Sequence, residues 1–226
     1  MASLDGRPKA KQTLQEKLQT PRYAALAGRS TRVAYLSVLR LIQESRLVDR
    51  VRNVGKYLEP FVLPNTSSEP VSSEDLLTRG PLVITFFRGG WCPYCVLALC
   101  ALQECLHEIE GLGGTLVAIG PETQEYQRNT KVKLGLTYDL LTDEGLTFSS
   151  SMGLTFVAPP EVKKLLNSVR IDLAVRHGSS SWLLPMPVTY VVDRSGRICY
   201  AYTDDDFTKR AKPEHIVSAV RVVATF

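Results

Sequence analysis

The sequence predicts an α/β fold, a mixed central sheet flanked by helices, with a helical extension at its N-terminus. Three observations carry that reading. Short β-branched and aromatic runs alternate with stretches of helical periodicity from Leu82 onward, a hairpin signal near the C-terminus adds an antiparallel strand pair, and the first 57 residues differ from the rest in charge and pattern. The 226 residues are 44% hydrophobic and 22% charged, the composition of one globular domain with an appendage. A chain of this length buries roughly 70% of the surface its unfolded form exposes, so its core needs no disulfide staples. The five cysteines need another explanation.

In the extension, Leu14 to Leu18 predicts a short helix ending at Pro21, and Thr31 to Val54 a longer one with Leu36, Leu39, Val48 and Val51 near one face. The extension is assigned to residues 1–53 and the α/β domain to 54–226. Phe61 to Pro64 is extended and leads into a Ser-rich stretch, where Ser72 or Ser73 can cap a helix over Glu74 to Thr78. Leu82 to Phe87 reads as a buried strand, ended by Arg88-Gly89-Gly90. Pro93, whose missing N–H is harmless in a first turn, opens a helix that glycines 111, 113 and 114 stop. Thr115 to Ile119 and Tyr138 to Leu141 are strands on either side of a helix at Glu122 to Lys131. A helix at Glu161 to Val169 is followed by a polar loop through His177, Gly178 and three serines. Val188 to Val192 and Arg197 to Tyr202 are strands joined by Asp193-Arg-Ser-Gly196, which has hairpin-turn chemistry. A closing helix begins around Pro213.

Charge is uneven along the chain. Residues 1–57 hold twelve Lys and Arg against four Asp and Glu, a net of +8, and the remainder is −4. A basic arm can touch nucleic acid, anionic lipid or an acidic partner, but these charges lie among Leu, Val and Tyr at helical spacing and read as a solvated helix face. With no aromatic and glycine pattern for RNA and no run of 18 apolar residues, neither nucleic acid nor a membrane is expected as a partner. The first thirty residues lack the apolar core of a secretory signal, and Asp5 and Glu16 argue against a mitochondrial presequence. The expectation is a cytoplasmic protein whose cysteines stay thiols unless they are catalytic or bind metal.

The segment Phe86-Phe-Arg-Gly-Gly-Trp-Cys-Pro-Tyr-Cys95 places two cysteines three apart where a buried strand turns into a helix. Free N–H groups and the macrodipole at a helix N-terminus stabilise a thiolate, and the i, i+3 spacing lets the sulfurs reach each other. Cys92 and Cys95 thus meet both requirements of a dithiol/disulfide centre. Arg88 adds positive potential and Trp91 can shield one side. Structural zinc would need a second ligand pair at comparable spacing, and Cys199, His107, His177 and His215 are scattered, so no metal site is expected. Asp204-Asp-Asp206 reads as a solvated turn, Arg128, Lys131 and Lys133 as surface, and His177 as a solvated loop residue, although its loop lies close to Pro187.

The string WCPYC resembles the active-site motif of thioredoxins and glutaredoxins. Over about Val48 to Phe226 the chain resembles the peroxiredoxin-like proteins of the alkyl hydroperoxide reductase/thiol-specific antioxidant group, on GKYLEPFVLPN, GPLVITFFRGGWCPYC, VAIGPET, Asp139 to Asp143 and PVTYVVDRSG. That resemblance implies a thioredoxin-like fold and an antioxidant oxidoreductase. Family peroxidases hold peroxide with a Thr-x-x-Cys motif and a distant Arg. Aligned on the strand-to-helix turn, Cys95 takes the peroxidatic place, Cys92 replaces the Thr, and Pro187 stands where the Arg belongs.

Both departures point from peroxide activation toward thiol–disulfide exchange, and the roles implied follow that direction. Cys92 would attack, Cys95 would resolve, Pro187 would pack beside the sulfurs in a cis bond and free the Met186 backbone for a substrate chain, and Trp91 and Tyr94 would form the rim. Cys100, five residues after Cys95, has the spacing of one peroxiredoxin class's resolving cysteine. On an intact helix, however, five residues is about 140° of rotation, so those sulfurs could bond only after unwinding. Cys105 and Cys199 read as ordinary buried residues. The leading expectation is a thiol–disulfide oxidoreductase cycling Cys92 and Cys95. The rivals are a thiol peroxidase acting on hydrogen peroxide or an organic hydroperoxide through Cys95, and a thioredoxin-fold protein whose thiolate does non-redox chemistry or that only binds a partner. No cofactor is expected; electrons would come from glutathione or a thioredoxin system, and the fold is compatible with a homodimer.

Overall fold

A computed structural model describes residues 12–19 and 28–225. Its centre is a five-stranded mixed sheet of β3 (Leu82–Phe86), β4 (Thr115–Gly120), β5 (Asp139–Thr142), β8 (Thr189–Val192) and β9 (Ile198–Tyr202), in the order β5-β4-β3-β8-β9. β3 is central, parallel to β4 and antiparallel to β8. All five of its residues are buried, as the unbroken run Leu-Val-Ile-Thr-Phe requires of a strand covered on both faces. The parallel strands are joined by α5 (Pro93–Gly111) and α6 (Gln124–Leu134), and α10 (Pro213–Ala224) closes the chain. Two smaller antiparallel pairs flank this frame: β1 (Val62–Pro64) with β2 (Pro70–Ser72), and β6 (Thr155–Val157) with β7 (Leu183–Pro185). Thus the α/β, mixed-sheet architecture is as the pattern predicts.

Ser72 caps α4 (Ser73–Arg79) by accepting from the Asp75 N–H, and α5 runs from Pro93 to Gly111 as expected. In the extension, α1 (Leu14–Gln19) is present, and the expected stop at Pro21 lies outside the described residues. The longer helix breaks in two, α2 (Arg29–Glu44) and α3 (Leu47–Arg50), because Arg46 adopts φ 49° between them. Past that reversal Leu47 lies in the core. The buried stripe of α2 is Ala34, Val38 and Ile42, at i, i+4 spacing, while Leu36 is exposed. These side chains share one apolar cluster with Leu82, Ile84 and Phe86 of β3. α2 packs on α8 (Pro160–Ser168), and α1 lies on α5. The helix α9 (Leu173–His177) falls where the pattern predicts loop, and the short helix α7 (Thr147–Ser151) lies in a stretch for which the pattern makes no prediction.

Candidate active site

The chain leaves the C-terminal end of β3 at Phe86 and reaches α5 through Phe87-Arg-Gly-Gly-Trp-Cys92. Two glycines in this turn are required by space. A Cβ on Gly89, at φ +139°, would lie 2.5 Å from the Trp91 indole nitrogen, and one on Gly90 would lie 2.1 Å from the Thr130 hydroxyl. The turn is tied down by Glu122, a fully buried carboxylate that accepts from the Gly90 N–H at 2.7 Å and from Arg176 at 2.6 Å. Burial pushes the Glu122 carboxyl up, and those two donors oppose the rise.

Cys92 is the N-cap of α5 and Cys95 sits in its first turn; each is only 1% exposed. The Arg88 guanidinium donates to Cys92 Sγ at 3.1 Å, and Arg210 donates to Cys95 Sγ at 3.5 Å. Arg88 also lies 4.4 Å from the centre of the Phe207 ring and 5.8 Å from that of Trp91. Burial works against the charge of Arg88, and the two sulfurs outweigh it. Tyr94 meets Phe207 edge-on at 6.5 Å. Two guanidiniums and an aromatic wall therefore enclose the dithiol.

The two thiols differ in acidity. Burial disfavours either thiolate. At Cys95 the opposing groups win: the Cys92 thiol, the guanidiniums of Arg210 and Arg88 and the Arg88 backbone together hold it well below the ordinary thiol range. At Cys92 burial and the bond to Cys95 prevail over Arg88, and its thiol stays well above that range. One negative charge, centred on Cys95 and bonded by the Cys92 thiol, satisfies both arginines.

Cys92, Cys95, Arg88, Trp91 and Tyr94 thus converge as the motif implies, although the acidity of the pair opposes Cys92 as the attacking thiolate. Met186 and Pro187 depart from expectation. The Met186–Pro187 bond is trans, since the described chain holds no cis peptide, and the Met186 N–H is already bonded to Leu154 O at 2.7 Å. Pro187 lies beside the end of β3, next to Val188, which accepts from the Phe86 N–H. Cys100 is half-buried on the unbroken helix α5, so the intact turn separates it from Cys95. Cys105 is buried, but Cys199 is exposed, bonded to Asp193. His177 is buried rather than solvated, with no partner for Nε2. Among the described residues no group of three or more His, Cys, Asp or Glu could hold a metal ion.

Sequence reasoning missed Arg210, Phe207, Glu122 and Arg176 as parts of this site. Arg210 is 115 positions from Cys95, and no spacing rule connects them. The one usable signal was the pair Arg210 and Phe207 directly behind the acidic turn, an aromatic and a cation in a loop that otherwise reads as solvated.

A dithiol on the first turn of a helix, at the end of the central strand of such a sheet, defines a thiol oxidoreductase of thioredoxin-like fold. Residues 54–201 match the model of the AhpC/TSA family, and the chain belongs to that family. Chloroplastic peroxiredoxin Q of Sedum lineare is 25% identical over 150 residues, covering 66% of this chain and 68% of the relative. Peroxidoxin BcpB of Mycobacterium tuberculosis superposes with a TM-score of 0.59 at 18% identity, covering 76% of this chain and 97% of that one. Peroxiredoxin Q of Xanthomonas campestris gives 0.56 at 13%, covering 77% and 97%. At such identities the two structures bear on the fold alone. No helix among the described residues is long and apolar enough to cross a membrane.

Proposed function

We propose that the protein is a thiol peroxidase in which Cys95 attacks the peroxide and Cys92 resolves the product. The observation that carries this reading is the place of Cys95 in the first turn of α5, at the end of the central strand, with the Arg210 guanidinium donating to its sulfur and Arg88 beside it on Cys92. The Cys95 thiolate attacks the terminal peroxide oxygen, the O–O bond breaks, and the leaving alkoxide or hydroxide takes a proton, giving Cys95 sulfenic acid and an alcohol or water. The guanidiniums favour the charge that develops on the separating oxygens. The Cys92 thiol then attacks Cys95 sulfur and expels water, forming a Cys92–Cys95 disulfide without unwinding α5. A dithiol of the thioredoxin type, or two glutathione molecules, returns both thiols.

Thiol–disulfide exchange enters as the second half of this cycle. It is less well supported as the first, because an attack begun by Cys92 needs a thiolate at the less acidic sulfur. In peroxide turnover driven by a dithiol reductant, Cys95→Ser abolishes peroxide consumption, while Cys92→Ser keeps the first stoichiometric oxidation and loses rapid turnover. A Cys95→Ser protein that consumes peroxide at the native rate would overturn the assignment.

A further inference from the structure

With both sulfurs 1% exposed, neither peroxide nor reductant reaches them in this conformation. The dithiol is enclosed by β3 and α5, which carry it and are tied by backbone ladders, and by the segment 203–211 between β9 and α10. That segment carries Phe207 against Arg88 and Arg210 against Cys95, both buried, yet its own bonds are mostly short-range: Asp204 accepts from the Asp206 N–H, Asp206 from the Thr208 N–H, and Arg210 donates to Phe207 O and Lys209 O. What holds it against the protein comes in good part from the N-terminal extension. Gln15 Nε2 donates to Arg210 O at 2.9 Å. The Tyr35 ring lies 5.4 Å from that of Phe207, and its hydroxyl, pushed up to about 12 by burial and by the Asp206 carboxylate, faces that carboxylate. Leu14 closes a small cavity with Arg210, Ala211 and Ile216.

We propose that residues 203–211 are a lid over the dithiol, and that the N-terminal extension is its latch, Gln15 and Tyr35 acting as positioning residues that keep Arg210 on Cys95. The idea rests on the dithiol being the reacting centre, but its test needs no turnover. Site-by-site alkylation of the reduced full-length protein by N-ethylmaleimide, read by mass spectrometry, measures lid opening at Cys95, with exposed Cys199 as reference. Gln15→Glu keeps the side-chain length and removes the donor; Tyr35→Phe removes only the hydroxyl. A lost hydrogen bond is worth about 1 kcal/mol, so Gln15→Glu is expected to speed Cys95 alkylation about fivefold, and Tyr35→Phe to speed it as well, each with Cys199 unchanged. The pH midpoint for Cys95 should also rise as Arg210 spends less time on its sulfur. Native Cys95 rates in both variants, or an equal acceleration at Cys199, would overturn the proposal. Either result would leave the peroxidase reading untouched.

Discussion

Arg210 illustrates what a sequence hides at the residue scale. The local part of the site was legible: two cysteines three apart at a strand-to-helix turn, with Arg88 and Trp91 beside them, because helix geometry acts over a few positions. The acidity that selects Cys95 over Cys92 depends on a guanidinium brought in from the far end of the sheet, which only the tertiary fold places there. Arg210→Met should therefore raise the Cys95 pKa. Removing the cation favours the thiol over the thiolate, and a loss of about 1.4 kcal/mol of that stabilisation leaves about a tenth of the thiolate below the native midpoint. Reaction of the variant with peroxide is expected to fall about tenfold at pH values below the native midpoint and to return to the native rate as pH rises past the variant's own, higher midpoint. A stopped-flow pH profile checks this, and a native profile in the variant would remove Arg210 from the assignment. Met186 and Pro187 show the opposite failure. The resemblance implied a cis bond and an open backbone, but that backbone N–H is occupied by Leu154.

Among the elements, strands and helices with a strong pattern were legible, and the pieces fixed by distant pairing were not. β6 and β7 pair Thr155–Val157 with Leu183–Pro185 across two short helices, a separation over which neither turn chemistry nor periodicity speaks. The break between α2 and α3 was equally hidden, since Arg46 in a left-handed conformation follows from burial of Leu47 and not from its own propensity. α9 is the element with a measurable electrostatic consequence. His177 at its end is buried, and burial followed by the neighbouring Arg176 lowers its pKa from 6.5 to about 4. A base kept neutral in the folded state binds its proton later than in the unfolded chain, so its penalty is absent above pH 6.5 and grows as pH falls toward 4. The whole of that penalty is about 3 kcal/mol. Denaturant unfolding at pH 7 and pH 4.5 is expected to show this loss in the native protein and a clearly smaller one in His177→Phe. Equal losses would mean that His177 titrates normally.

At the scale of the whole molecule, the N-terminal residues read from sequence as a basic appendage share the core of the sheet and reach the active-site loop. Their positive charge was legible, but their role was not, because a solvated helix face and a latch have the same charge pattern and differ only in what their buried side chains touch. Ala34, Val38 and Ile42 anchor α2 on the body, while Gln15 and Tyr35 meet the segment that carries Phe207 and Arg210. The central claim is that peroxide chemistry begins at Cys95. One equivalent of hydrogen peroxide added to the reduced protein in the presence of a sulfenic-acid trap, followed by mass spectrometry, tests it most directly. The account predicts a trapped adduct on Cys95 in Cys92→Ser and a Cys92–Cys95 disulfide in the native chain. First oxidation at Cys92, or peroxide reaction no faster than that of a free thiol, would contradict it.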